Sequence, residues 1–178
     1  ALVGTILLKP RTGKFNSDGS PNSIGGHNMP LVSLGVFILW FGWFGFNGGS
    51  ALGMGDPELL ARIVINTNLA AGAGAIAAMF TAWAKFGKPD LALSFNGALA
   101  GLVAITAPCA VVTPGSAIYI GMLGGILCVY GVHWLDRFGV DDPIGAVPVH
   151  AFNGVWGTLA VGLFGQSVLG SPQNGVFY

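Results

Sequence analysis

The chain has 178 residues, 53% of them hydrophobic and 8% charged, with a mean hydropathy of +0.71. Soluble domains carry about a quarter charged residues, so this composition excludes an ordinary soluble domain and points to lipid. Seven basic and seven acidic side chains cancel, and nothing in that balance suggests a nucleic-acid partner.

Residues 1–8 are apolar with no basic stretch before them, which reads as the end of a span rather than a signal peptide. The chain also stops at Val176-Phe177-Tyr178 without an evident tail. The expectation is a fragment, cut at both ends. Five apolar stretches follow the stub, at residues 30–50, 58–84, 91–107, 115–135 and 144–166. Each is near the twenty or so residues that a helical crossing requires. The first runs through Phe37-Ile38-Leu39-Trp40-Phe41-Gly42-Trp43-Phe44-Gly45-Phe46-Asn47-Gly48-Gly49-Ser50 and carries no charge. The third is the shortest, and Gly97 and Gly101 interrupt it, so a tilted or broken helix is expected there. The expected fold is therefore an all-α polytopic membrane protein of about five transmembrane helices plus an N-terminal helix stub.

Helix starts are marked by capping residues followed by proline. Asp56-Pro57-Glu58, Thr113-Pro114 and Asp142-Pro143 place a cap, then proline at the first helical position, and Asn28-Met29-Pro30 is a looser version. Asp56, Asp141 and Asp142 are read as helix caps on this pattern.

Alternating spans place residues 9–29, 85–90 and 136–143 on one side. Lys9, Arg11, Lys14, Lys85, Lys88 and Arg137 all fall there, and only Arg62 belongs to the other. Positive charge collects on the cytoplasmic side, so these three loops are expected in the cytoplasm of a cell membrane, plasma or bacterial inner. Gly45/Gly49, Gly97/Gly101 and Gly121/Gly125 repeat a small-x-x-x-small spacing that lets helices approach closely in lipid.

Ionisable groups sort by depth. The acids lie in loops or first turns, and the bases lie in loops or near helix ends. His150 alone is expected well inside a span, seven residues past Pro143 and about 10 Å along a helix. An ionisable residue at that depth is a functional candidate, and neutral imidazole can donate at one nitrogen and accept at the other. The alternative is a histidine hydrogen-bonded to a neighbouring helix. Phe46 and Ser50 are four apart and share one helix face near its outer end. A cation arriving there would meet a hydroxyl at Ser50 and a ring face at Phe46 or Trp43; simple packing is the alternative for the aromatics. Thr106 is a further polar candidate, with back-bonding to its own helix as its alternative. Cys109 and Cys128 are too few for a disulfide framework and too isolated for a metal site. No Walker loop, His/Cys ligand cluster or Ser/His/Asp set is present, so neither an enzyme nor a cofactor is expected.

Phe41-Gly42-Trp43-Phe44-Gly45-Phe46-Asn47-Gly48-Gly49-Ser50, Asp141-Asp142-Pro143 and Val149-His150-Ala151-Phe152-Asn153-Gly154 together resemble the ammonium transporter family (Amt/MEP/Rh). Gly26-His27-Asn28-Met29-Pro30 and Ala100-Gly101-Leu102-Val103-Ala104-Ile105-Thr106 extend the likeness, which covers the chain in order and is closer to the Amt branch. The resemblance implies homotrimers of eleven-helix subunits, each built from two five-helix repeats of opposite orientation. Residues 1–178 would be the end of the fifth helix and the sixth to tenth, which is most of the second repeat. It implies ammonium or ammonia as substrate, methylammonium as an analogue, and a PII-type regulatory protein as a cytoplasmic partner. On this resemblance Phe46 matches the inner of two gate phenylalanines, Ser50 the vestibule acceptor and His150 the second of two pore histidines. Trp43 and Thr106 match positions near the vestibule. The first pore histidine, outer phenylalanine and vestibule tryptophan would precede Ala1, and the isolated fragment is expected not to transport. Gly145 stands where other members often carry an acid. Two rival readings remain: an ammonium-sensing receptor with the same site and little flux, and a structural subunit in which the aromatics and His150 only pack.

Overall fold

The computed structural model describes residues 1–53 and 55–178. After the short helix α1 (Leu2–Leu8), the chain forms α2 (Met29–Gly49), α3 (Pro57–Phe86), α4 (Leu91–Thr106), α5 (Pro114–Arg137), a π-helical turn (Val147–Phe152) and α6 (Asn153–Phe164). A 3-10 turn (Ser167–Leu169) follows. Among the described residues, four helices are long and apolar enough to cross a membrane, with the last crossing formed by the π turn and α6 together; α4 is a shorter apolar helix.

The starts obey the capping chemistry. Asn28 accepts from the Leu31 amide, Asp56 from Leu59, Asp90 from Leu93 and Thr113 from Ser116. Each satisfies an amide that the helix itself leaves unpaired, which matters most where no water can replace it.

Packing is organised around α3. At Ala70 and Gly74, α4 and α5 approach so closely that side chains are excluded. A methyl group built on Gly101 or Gly121 would overlap the Ala70 carbonyl oxygen, and one on Gly125 would overlap that of Gly74. Gly97 lies against Gly74 and Ala78 in the same way. Gly97 and Gly101 therefore do not break or interrupt α4, which is continuous from Leu91 to Thr106. They remove side chains so that the backbones can touch, the geometry of small-residue helix contacts in lipid. The third glycine pair behaves differently: a methyl on Gly45 or Gly49 meets nothing within 4 Å.

Buried polar groups add joints. The Asn66 amide donates to the Cys109 and Val112 carbonyls at 2.8 Å each, tying α3 to the turn after α4. Asn47 donates to the Thr67 hydroxyl at 3.0 Å and joins α2 to α3. Trp156 donates to the Ile120 carbonyl at 3.0 Å and joins α6 to α5. By contrast, α2 buries only Val36 and Asn47, and its apolar side chains such as Phe37, Ile38 and Phe41 stay exposed.

Two corrections concern the approach to the last helix. Asp141 is not a cap. Its carboxylate is buried and takes both arms of the Arg11 guanidinium at 2.8 Å, with the Arg11 amide as a third donor at 2.9 Å. Asp142 does cap, accepting from Ala146 at 3.0 Å and Val147 at 2.7 Å. The helical turn thus begins at Val147 rather than 144, and His150 is its fourth residue rather than its seventh. The delay has a backbone cause. Gly145 takes φ +69°, outside the helical region, and a side chain there would strike the Asn96 amide at 2.7 Å. Pro148 supplies no amide to a regular α-helical ladder, and the turn widens to π geometry around it.

The helix contacts predict a sharp steric penalty. Gly121→Ala in the complete membrane protein should lower unfolding stability by about 1–3 kcal/mol, the usual cost of overpacking, measured by denaturant titration in detergent. An unchanged midpoint would contradict this packing.

Candidate functional site

Three elements converge on one cleft of about 350 Å³. Trp43 and Phe46 come from α2, Val103, Thr106 and Ala107 from α4 and the turn after it, and His150, Gly154 and Thr158 from the π turn and α6. The last three are spaced by four residues and form one stripe along their helix. Val103 is twelve residues into α4, about 18 Å along it, yet it shares the cleft with a histidine one turn into its own helix. The chain can start a helix this far inside because Asp141, Gly145 and Val147–Val149 are buried in protein.

Four of the five residues singled out from sequence meet here: Trp43, Phe46, Thr106 and His150. The Trp43 indole donates to the Thr106 hydroxyl oxygen at 2.9 Å. That hydroxyl gives its own hydrogen to the Leu102 carbonyl at 2.8 Å, so back-bonding and indole binding operate together. The Trp43 ring lies 5.7 Å from the Phe46 ring, tilted by 53°. Thr106 thereby holds one aromatic, which in turn supports the other. The Phe46 ring borders the cleft beside Trp43. His150 lines the same cleft.

Ser50 does not line the cleft. It is the C-cap of α2, one turn beyond Phe46, and its hydroxyl donates to the Phe46 carbonyl at 2.7 Å. Its oxygen lone pairs remain as acceptors. Gly154 and Thr158 were not singled out from sequence, although their spacing from His150 is a readable signal. Val103 had none beyond general hydropathy. Among the described residues no cluster of His, Cys, Asp and Glu could hold a metal ion. The cleft has apolar and aromatic walls, two threonine hydroxyls and one imidazole, and no lining residue carries a fixed charge. Such a lining can coordinate a small polar molecule without trapping an ion.

Fold and cleft together define a polytopic α-helical membrane protein with a polar-and-aromatic cleft between its helices. The sequence pattern of the Ammonium Transporter Family matches residues 1–178, and the chain belongs to that family. It is 52% identical over 170 residues to ammonium transporter Amt2 of Archaeoglobus fulgidus, covering 96% of this chain and 36% of the relative. It is 43% identical over 179 residues to the ammonium transporter of Bacillus subtilis, covering 99% and 42%. Among solved structures, a Sensor Amt Protein superposes with a TM-score of 0.90 at 43% identity, covering 94% of this chain and 41% of that one. Candida albicans Mep2 superposes at 0.84 with 27% identity, covering 98% and 38%. The chain thus spans about two fifths of the length of the relatives it matches.

The Trp43–Thr106 joint carries its own prediction. Thr106→Val leaves the indole N–H without its acceptor and should cost about 1 kcal/mol of unfolding stability, while Thr106→Ser should cost clearly less. Equal losses in both variants would show that the methyl group, not the hydrogen bond, holds the aromatics.

Proposed function

We propose that residues 1–178 form the second-repeat part of a homotrimeric ammonium transporter, and that the cleft lined by Phe46 and His150 belongs to its conduction path. The observation that carries this reading is the convergence of Trp43, Phe46, Thr106 and His150 on one uncharged cleft in a chain that belongs to the Ammonium Transporter Family. Ammonium would be recruited at the outer end of α2, where the Ser50 oxygen accepts a hydrogen bond and aromatic faces attract the cation. The Phe46 ring would gate the way down. A bare ammonium ion in an apolar path is costly, whereas neutral ammonia is not. Deprotonation therefore precedes passage, and a neutral His150 guides ammonia or relays its proton without holding a permanent charge. The basic loops at 9–29, 85–90 and 136–143 would face the cytoplasm, where a PII-type protein is the proposed regulatory partner.

Sensing is the second reading. It is favoured by the likeness, at 43% identity, to a structure titled Sensor Amt Protein. A receptor would use the same recruitment site and show little flux.

The roles of Phe46 and His150 are tested in the complete protein. Phe46→Ala should abolish or uncouple methylammonium entry, and His150→Ala should stop ammonia passage or change its coupling to charge. Reductions of tenfold or more in uptake per transporter are expected, as for loss of contacts made only along the path. Wild-type uptake in Phe46→Ala would remove its gate role. Wild-type flux and ion selectivity in His150→Ala would remove His150 from the path.

A further inference from the structure

The segment that carries His150 is anchored from a distant loop. Residues 138–146 join α5 to the π turn, and side-chain joints supplement the few backbone hydrogen bonds that hold them. Three such joints are present. Asp142 caps the turn through the Ala146 and Val147 amides. The Asn96 amide of α4 donates to the Ile144 carbonyl at 3.0 Å. Arg11, 130 residues earlier, grips Asp141 through three hydrogen bonds of 2.8–2.9 Å. The neighbouring Lys14, itself largely buried, pairs with Asp136 in the last turn of α5 at 2.8 Å.

The Asp141 grip is built for position rather than for general attraction. The Asp141 side chain is 2% exposed and the Arg11 side chain 40% exposed, and the planar guanidinium meets the carboxylate in a two-armed fork. Such forks set direction as well as distance, which a lysine cannot do. The hydrogen bonds from Arg11 hold the Asp141 carboxyl below the usual carboxylate range, so the pair is ionised at neutral pH. Asp141 is followed directly by the cap Asp142, and the capped turn carries Pro148, Val149 and His150.

We infer that Arg11 is a positioning residue for His150: its fork on Asp141 fixes the register of residues 141–150 and so the placement of the imidazole in the cleft. The inference rests on the proposal that His150 lines the conduction path.

The test uses the complete transporter in cells, with uptake of methylammonium normalised to transporter present in the membrane. Arg11→Gln should lower the maximal rate about tenfold, leave the apparent KM within twofold, and raise potassium passage relative to methylammonium. Arg11→Lys, which keeps the charge but not the fork, should fall between parent and Arg11→Gln and serves if Arg11→Gln fails to reach the membrane. The exchange Arg11→Asp with Asp141→Arg should recover at least half of the parental rate. A merely structural role would lower abundance without changing rate per molecule or selectivity, and that result overturns the inference. So does an exchanged pair no better than Arg11→Gln. His150→Ala run alongside separates the two claims. If it transports as the parent does, the conduction reading fails and the positioning role fails with it. If it is impaired while Arg11→Gln and Arg11→Lys are not, only the positioning role fails.

Discussion

Close backbone contact at Ala70 and Gly74 is the constraint on which the rest of the structure depends. There α3 receives both α4 and α5, with glycines where larger side chains would collide. In lipid no water expulsion drives helices together, so contact distance and packing carry the association. This contact sets the position of α4, and α4 sets the cleft. Val103 and Thr106 come from it directly. A methyl on Gly157 of α6 would overlap the Ala104 carbonyl oxygen, so the helix bearing Gly154 and Thr158 is docked on the same α4 face. The long helix α2, which buries only Val36 and Asn47, is then attached by two polar joints, Asn47 to Thr67 and Trp43 to Thr106. One of those joints is itself part of the site, so helix docking and site assembly are the same event.

The chemistry of the cleft follows from what the helices withhold. None of its lining residues is an acid or a fixed base, and its polar groups are hydroxyls and one imidazole. Threonine hydroxyls that donate to their own helix, as Thr106 and Thr158 do, offer only acceptor capacity to a visitor. Aromatic rings at Trp43 and Phe46 add faces that can attract a cation. On the proposed function, the site would attract the charged form at its mouth and favour the neutral form within.

Much of this was legible in residue order because its causes are local. Cap-and-proline signals at Asp56, Thr113 and Asn28 fall where α3, α5 and α2 begin. Aromatic density and four-residue spacing singled out Phe46 and Trp43, and lone ionisability singled out His150. The misreadings arose where the cause is remote. The four-residue spacing of Gly97/Gly101 already signalled close helix approach, but the same glycines also read as a break in α4, and only their contacts with the backbone of Ala70 and Gly74 decide between the two. Asp141 beside Asp142-Pro143 has the local signature of a cap, and only a partner 130 residues away makes it half of an ion pair. The start of the last helix was misplaced because Gly145 adopts a left-handed conformation in contact with Asn96. Each of these depends on a tertiary neighbour that no window of sequence contains.

The central claim is that the cleft is part of a conduit rather than a sensor's binding site. The most direct measurement is radiolabelled methylammonium uptake by the purified complete protein in proteoliposomes, compared with protein-free vesicles of the same lipid. The account predicts saturable uptake well above the empty vesicles, competed by ammonium. Tight ammonium binding to the same protein with uptake no greater than in empty vesicles would contradict it and establish a receptor.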